Sequence, residues 1–497
     1  MKAYKLIIAS ALTLSLTACS DSYMDTAETG SLTPEEAGEV AAKDADIFLN
    51  GIWSYMADVT DDHDDFNYMA ALHALDMMGD DIAMGGVHFF VFDYRFEYSG
   101  GNYARVRRTW RVFYTMLTRV NEILDMFPEG AKTDDEKAIV GQCLAIRGLA
   151  YTVLPMIYQK PVKDDGSLNL DAPGVPIYLS EIDGLTLEER EALKGRNTVG
   201  KVWQQAEKDL EEAVKLLEES GYVRPSKLFI DANVANGLAA RYYLYTQQWA
   251  KAETAANKAR AGYAPMDQVG LHDGFMDLNN EEWMWGFDHT DNTTTMYASF
   301  FSHVSNFAPG YGGLGLSSRL IDKRLYDQIP DDDYRKSLFN GPEGDKSQST
   351  TGAQMPYANL KFGFDGNWTM DYMYMRAAEM YLIEAEALAR QGKNTEAATV
   401  LGLLMAERQP SWNKTSVTVA DVQLQRSIEL WCEGFSYFDK RRNNEGANRV
   451  YEGTNHLSSA QMIVPADSAV WTYQLPRSEI QENNYIDETE QNPGGEE

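Results

Sequence analysis

Two stretches of the chain place small and apolar residues at the same set of offsets. In LAARYYLYTQQWAKAETAANKA they are Ala240, Tyr243, Ala252 and Ala259; in AEALARQGKNTEAATVLGLL they are Ala385, Leu388, Ala397 and Leu404. Small side chains at this tetratricopeptide-type spacing let two antiparallel helices approach closely. Each such pair then needs a neighbouring pair to cover its apolar face. The constraint predicts a mainly α fold, a tetratricopeptide-like scaffold of helical pairs, with four pairs of which two are degenerate. Helical period appears elsewhere too. Trp110, Phe113, Tyr114, Leu117, Val120, Leu124 and Phe127 recur every three or four residues, and so do Trp203, Ala206, Leu210, Ala213 and Leu217.

The period fails in two places, residues 58–103 and 266–370. Both are rich in Gly, Asn, Asp and rings, as in MGGVHFFVFDYRFEYSGGNY and DLNNEEWMWGFDHTDNTTTMYASFFSHVSNFAPGYGGLG. Long irregular segments on a helical scaffold usually carry function, and together they predict a loop-rich insertion subdomain. Gly310, Gly312 and Gly315 spell G-x-G-x-x-G, but no apolar strand precedes them and Asp322 follows too early for a ribose contact. This segment therefore reads as a bending loop.

The formal charge of −31 argues against a nucleic-acid partner, since phosphate binding needs a basic surface. The start of the chain is basic, then apolar from Leu6 to Leu16, then small: a secretory signal, too short to anchor as a span. LTAC, Leu16 to Cys19, has the pattern of a bacterial lipobox, in which cleavage leaves Cys19 lipidated. Residues 1–18 are thus expected to be removed, with 19–40 a lipidated tether. Cys143 and Cys432 lie in apolar helical patterns and read as buried free thiols. TDDHDDF (Thr60 to Phe66) lacks the glycine and closing Glu of a calcium loop and reads as a solvated acidic run. No metal or cofactor is expected. Neither H-E-x-x-H, G-x-S-x-G nor a P-loop lysine occurs, and no carboxylate pair stands out as catalytic.

Order and spacing over most of the chain resemble the SusD/RagB family of outer-membrane nutrient-binding lipoproteins. The resemblance runs through TWRVFYTMLTRVNEIL, AIRGLAYTVLPMIYQKPV, TVGKVWQQAEKDLEEAVKLL, LSSRLIDKRLYDQIPDDDYRKSL, MRAAEMYLIEAEAL, RSIELWCEGFSYFDKRR and the terminal EQNPGG. Ser436 and Asn443 depart from the family pattern, which commonly has Arg and Trp there. The resemblance implies a non-enzymatic surface lipoprotein anchored through Cys19. It would bind a nutrient glycan and hand it to a TonB-dependent outer-membrane transporter docked on the helical scaffold. A peptide or glycopeptide ligand, a glycan-cleaving enzyme and a tetratricopeptide adaptor are the alternatives. The expected division is a scaffold over 41–265 carrying the first insertion, a ligand-binding insertion over 266–370, and C-terminal helices over 371–497. Sugars stack their C–H faces on rings. The candidate contacts are His88, Phe89, Phe90, Tyr94, Tyr98 and Asn102 in the first insertion, and Tyr297, Phe300, Phe301, Phe307 and Tyr311 in the second.

Overall fold

Thr133 opens the longest helix with a capping box: its hydroxyl accepts from the Glu136 backbone N–H, and the Glu136 carboxylate accepts from the Thr133 N–H. Thr198 and Gly221 (φ 62°) start and stop another helix in the same local language. The computed structural model describes residues 45–494, which form one compact unit. The expected signal, Cys19 and the tether lie outside the described residues. The main helices are α1 (Ala45–Ala57), α2 (Asn67–Asp76), α3 (Ala104–Leu124), α4 (Asp134–Tyr158), α5 (Val199–Ser220), α6 (Ala232–Tyr245), α7 (Trp249–Ala259), α8 (Ala377–Arg390), α9 (Asn394–Met405), α10 (Val419–Glu429) and α11 (Ser436–Arg442).

Helix α4 is long and apolar enough to cross a membrane, yet every residue from Ala138 to Tyr158 is buried within the protein. It packs between α3 and α5. Its contact with α5 depends on glycine: a Cβ on Gly148 would sit 2.6 Å from Leu210, and one on Gly141 2.8 Å from Leu217. From α5 the packing continues through α6, α7 and α8 to α9 and α10. The sequence repeats at 240–259 and 385–404 are the pairs α6/α7 and α8/α9, and their spaced residues are all buried. The pairs are distant in sequence but abut through α7 and α8. The mainly helical expectation therefore holds.

Four short strands attach the insertions. β2 (Trp283–Phe287) and β4 (Tyr372–Arg376) pair antiparallel, Trp283 opposite Arg376 and Phe287 opposite Tyr372. β1 (Ile82–Met84) pairs with β3 (Arg319–Ile321), joining the first insertion to the second. β4 runs directly into α8, with Arg376 as its N-cap residue. There the Arg376 guanidinium meets Glu282 at 2.7 Å, Glu429 at 2.7 Å and Glu433 at 2.8 Å. Arg408 and Arg335 close on Glu429 at 2.9 and 3.1 Å, and Lys361 closes on Glu433 at 2.5 Å. All these side chains are buried. Burial opposes ionisation of Glu429, but the three guanidiniums hold its carboxyl well below the usual range.

Cys143 and Cys432 are buried and unbridged. The helical reading of Cys432 is corrected, because α10 ends at Glu429 and Cys432 sits in a turn at φ 61°. Ser436 donates to Asp81 at 2.8 Å, and a Cβ on Gly79 would come 2.4 Å from its hydroxyl, so this contact needs glycine at 79. Asn443 accepts from Arg390 at 2.5 Å.

Removing one partner of the buried network should cost far more than removing a surface pair. Glu429→Gln leaves guanidiniums buried without their charge partner and should lower the unfolding free energy by about 3–5 kcal/mol. Lys251→Ala cuts bridges to Glu207 and Glu211 at the surface and should cost no more than about 1 kcal/mol. Guanidinium unfolding of the two variants checks the ranking. Acid should act through the same kind of group. Burial would raise the Glu386 carboxyl, but Arg442 and Arg390 pull it down to about 2. Its folded value lies below the unfolded one of about 4.3, so its stabilisation is full above that pH and is lost as pH falls toward 2. Melting temperature measured from pH 6 to 2.5 should fall through that window, and Glu386→Gln should flatten the fall while lowering the plateau.

Candidate functional site

Arg105, Arg108 and Arg111 recur every three residues along α3 and so share one side of the helix. They face the TDDHDDF loop. Arg105 bridges Asp64 at 2.7 Å and Asp93 at 3.0 Å. Arg108 meets Asp64 at 2.7 Å, and Arg111 meets Asp65 at 2.6 Å and Asp61 at 3.0 Å. The hydrogen bond from Arg111 holds the Asp61 carboxyl below the usual range, against a small opposing effect of burial. The acidic run is thus solvated only in part: Asp61 and Asp62 are exposed as expected, whereas the run is clasped by arginine and Asp65 is buried. Among the described residues no cluster suited to a metal ion occurs.

The clasp fixes His63, which reaches across to the second insertion. Its Nδ1 lies 2.6 Å from the Tyr311 hydroxyl, and its ring stacks on Tyr297 with centroids 5.9 Å apart at 15°. Its carbonyl oxygen accepts from His303 Nε2 at 2.8 Å. Tyr311 also stacks on His88 at 4.7 Å and His303 at 4.9 Å, and meets Phe89 edge to face at 4.9 Å. Burial, helped by the nearby Arg319 cation, pushes His303 well below the usual imidazole range and keeps it neutral. Burial raises the Tyr311 hydroxyl, with the charges of Asp62 and Tyr297 adding to it.

The glycines around Tyr311 serve the protein's own packing more than ligand approach. A Cβ on Gly312 would sit 2.4 Å from the Ser305 carbonyl oxygen. Only Gly315, at φ 78°, takes a left-handed backbone in this loop. Beyond Tyr297, Trp368 lies 6.5 Å away and stands edge-on to Phe364 at 5.1 Å. Trp368 has φ 65°, a costly conformation for a bulky residue. The Asp365 carboxylate holds that turn by accepting from the N–H groups of Asn367, Trp368 and Thr369 and from the Thr369 hydroxyl. Although burial opposes it, these bonds keep the Asp365 carboxyl below its usual range.

A cleft of about 520 Å³ opens on the other side of His88 and Phe89. Three rings line it in succession: Phe92 stacks on Tyr98 at 4.7 Å, and Tyr98 is tilted against Tyr103 at 4.8 Å. Asn102, Asp62 and Arg108 supply polar groups at its walls. A larger hollow of about 860 Å³ lies on the scaffold between α4 and α5. Its base is Arg147 with Asp183 and Asp209, its rim is glutamate and lysine, and no ring lines it. It offers no stacking surface, so the smaller cleft is the better ligand candidate.

Of the sequence-selected residues, His88, Phe89, Tyr297 and Tyr311 come together, and Tyr98 and Asn102 share the adjoining cleft. Phe307 is half-buried in the loop before Tyr311. Four selections are corrected, because Phe90, Tyr94, Phe300 and Phe301 are buried, although Phe90 also borders the cleft. Tyr94 is fully enclosed: its hydroxyl bonds His456 Nδ1 at 2.5 Å and the Arg449 guanidinium covers its ring at 4.2 Å. Phe90 faces inward because its backbone takes φ 68°, beneath the Arg105 guanidinium at 4.7 Å. Sequence reading did not select His63, Phe92, Tyr103, His303 or Trp368 as ligand contacts. Only Trp368 carried a local signal, the Asp-Gly-Asn turn before it.

Residues 58–244 match the family model described as starch-binding associating with outer membrane, and residues 296–494 match that of the SusD family. Among solved structures, a SusD-like carbohydrate binding protein from Bacteroides vulgatus is 28% identical, with a TM-score of 0.77, over 91% of this chain and 98% of its own. A SusD superfamily protein from the same species is 23% identical, with a TM-score of 0.74, over 92% and 99%. A laminarin binding SusD-like protein shares the fold at 17% identity and a TM-score of 0.63, over 91% and 99%. No curated protein sequence matches the chain. The two family matches, which together take in most of the chain, and the shared fold across nearly its whole described length place it in the SusD/RagB family.

Proposed function

We propose that this protein is a lipid-anchored outer-membrane surface protein that binds a neutral glycan and passes it to a TonB-dependent transporter. The observation that carries the reading is the two-lobed ring face, with Phe92, Tyr98 and Tyr103 on one side and Tyr297, Tyr311 and Trp368 on the other. Flat rings flanked by Asn102, Asp62 and Arg108 suit the alternating C–H faces and hydroxyls of a sugar chain. An acidic protein disfavours a polyanionic ligand. The description of the 28% identical relative as carbohydrate binding is in keeping with this. The nearby carboxylates Asp61, Asp64 and Asp65 are each bonded to an arginine of the clasp, an arrangement that serves the protein's own packing and is in keeping with binding. One feature favours a ligand with an apolar portion, such as a glycopeptide: Val87, Leu314 and Leu316 are exposed beside the rings.

A glycan and peptide array identifies the ligand, and calorimetry then tests the face. Tyr98→Ala and Tyr297→Ala should each weaken binding by about 1–2 kcal/mol, close to tenfold, without change in fold by circular dichroism. Tyr94→Ala should instead lower the melting temperature. Unchanged affinity in both surface variants would place the site elsewhere, and chromatographic detection of shortened glycan would restore the enzyme reading.

Anchoring and partnership are tested in cells. A multiply acylated terminus holds a membrane far better than a single chain, so Cys19→Ala should lose metabolic lipid label and become soluble. Mild-detergent pull-down of the wild type should recover a large β-barrel in near-equal amount, docked on the helical scaffold. Retained label in the variant, or no barrel in any mild detergent, would count against these two assignments.

A further inference from the structure

Tyr311 is one of the rings proposed to meet ligand, and its hydroxyl is bonded to an imidazole that belongs to a different part of the chain. That imidazole, His63, is exposed, and no protein group bonds its Nε2 among the described residues. A neutral imidazole with its proton on Nε2 accepts at Nδ1, so the Tyr311 hydroxyl donates to it and turns its oxygen lone pairs outward. When solvent supplies a second proton, Nδ1–H becomes the donor, the tyrosine oxygen accepts, and the hydroxyl hydrogen is released to point outward. The proton is the only atom gained, and the polarity that Tyr311 shows to a ligand is reversed.

Resting on the reading of this face as the ligand site, we propose that His63 is a proton-responsive positioning residue that sets both the placement and the hydrogen-bond polarity of Tyr311. The geometry isolates His63 for this role. Its backbone is held by the arginine clasp on either side, at Asp61 and at Asp64 and Asp65. Its ring and carbonyl engage Tyr297, Tyr311 and His303 together. The charged and titratable groups around it are Asp61, Asp62, Asp64 and Asp65 on its own loop, Arg105, Arg108 and Arg111 on α3, His88 on the first insertion, and Tyr297, Tyr311 and His303 on the second. The three arginines are committed to the aspartates, and His303 is buried and neutral. His63 and His88 are left as the two imidazoles whose proton could act on Tyr311.

The test separates the proton from the ligand. Ring-labelled 13C-tyrosine NMR of the ligand-free protein, with Tyr311→Phe to assign the signal, is recorded from pH 5 to 8. The Tyr311 signal should move with pH in the wild type and stand still in His63→Phe, which keeps a ring but not the proton site. A Tyr311 signal that is static in the wild type, or that still moves in His63→Phe and stops only in His88→Gln, would overturn the proposal. Laminarihexaose and maltohexaose then serve as binding probes at pH 5.5 and 8. For whichever binds, His63→Phe should weaken affinity by roughly tenfold, as for loss of one hydrogen bond, and abolish its pH dependence. His63→Gln, which can still bond Tyr311, should recover most of the affinity but none of the pH dependence. A pH dependence that persists in both variants would also overturn it. If neither hexasaccharide binds the wild type, the glycan reading is weakened for these sugars, and the NMR arm still decides the role of His63.

Discussion

Arg376 is the joint on which the molecule turns. It ends a strand of the loop subdomain and caps the first helix of the C-terminal pair, and its guanidinium is saturated by carboxylates from three directions. Glu282 comes from the turn before β2, Glu429 from the end of α10, and Glu433 from the loop after it. One buried side chain thereby fixes the relative placement of helical scaffold and insertion. A buried ion network is seldom the most stabilising way to fill a core, since desolvation of each charge offsets much of the attraction. What it supplies is direction. A planar guanidinium, its N–H donors fixed along its edges, accepts only one arrangement of its partners, whereas an apolar patch in the same place would tolerate several.

The same logic operates at smaller scale in the ring face proposed to meet ligand. The clasp formed by Arg105, Arg108 and Arg111 converts an acidic loop, which would otherwise repel itself, into a rigid wall. The Trp368 turn is held against backbone strain by one carboxylate with four donors. In both cases the rings are presented by polar scaffolding beneath them. This is the expected division of labour at a site on loops: rings contribute contact area, and satisfied hydrogen bonds contribute preorganisation.

The scaffold was legible because its information is local. A helical stripe such as Trp203, Ala206, Leu210, Ala213 and Leu217 states its own period, and all five side chains are buried in α5. Paired small residues state how closely the next helix comes. The ring face was legible only as two regions. Phe89 and Phe90 are adjacent and chemically identical and both border the cleft, yet Phe89 is half-buried and Phe90 is buried, with a left-handed backbone at Phe90 turning the chain between them. Tyr94 and Tyr98 part company for a different reason: the partners that enclose Tyr94, His456 and Arg449, come from the far end of the chain. No pattern within the insertion encodes that. His63 was hidden by its acidic neighbours, whose counter-charges sit on a helix some forty residues later. Reading the spacing of Arg105, Arg108 and Arg111 against the aspartate run would have exposed the clasp.

The ladder between β1 and β3 has a kinetic meaning. Three residue pairs, Ile82 with Ile321 to Met84 with Arg319, close a loop that contains most of the scaffold. Closing so long a loop costs conformational entropy that three pairs cannot repay until the helices between them have folded and brought the ends near. The ring face is consequently a late product of folding, complete only after the chain has been delivered at least as far as Ile321. Until then His88 and Phe89 of the first insertion lack their partner Tyr311 in the second, and uncovered rings on a partly folded chain favour aggregation. The acidic clasp is drawn entirely from residues 58–111, so it is available early, and it can hold the first insertion together while its partner is still being delivered.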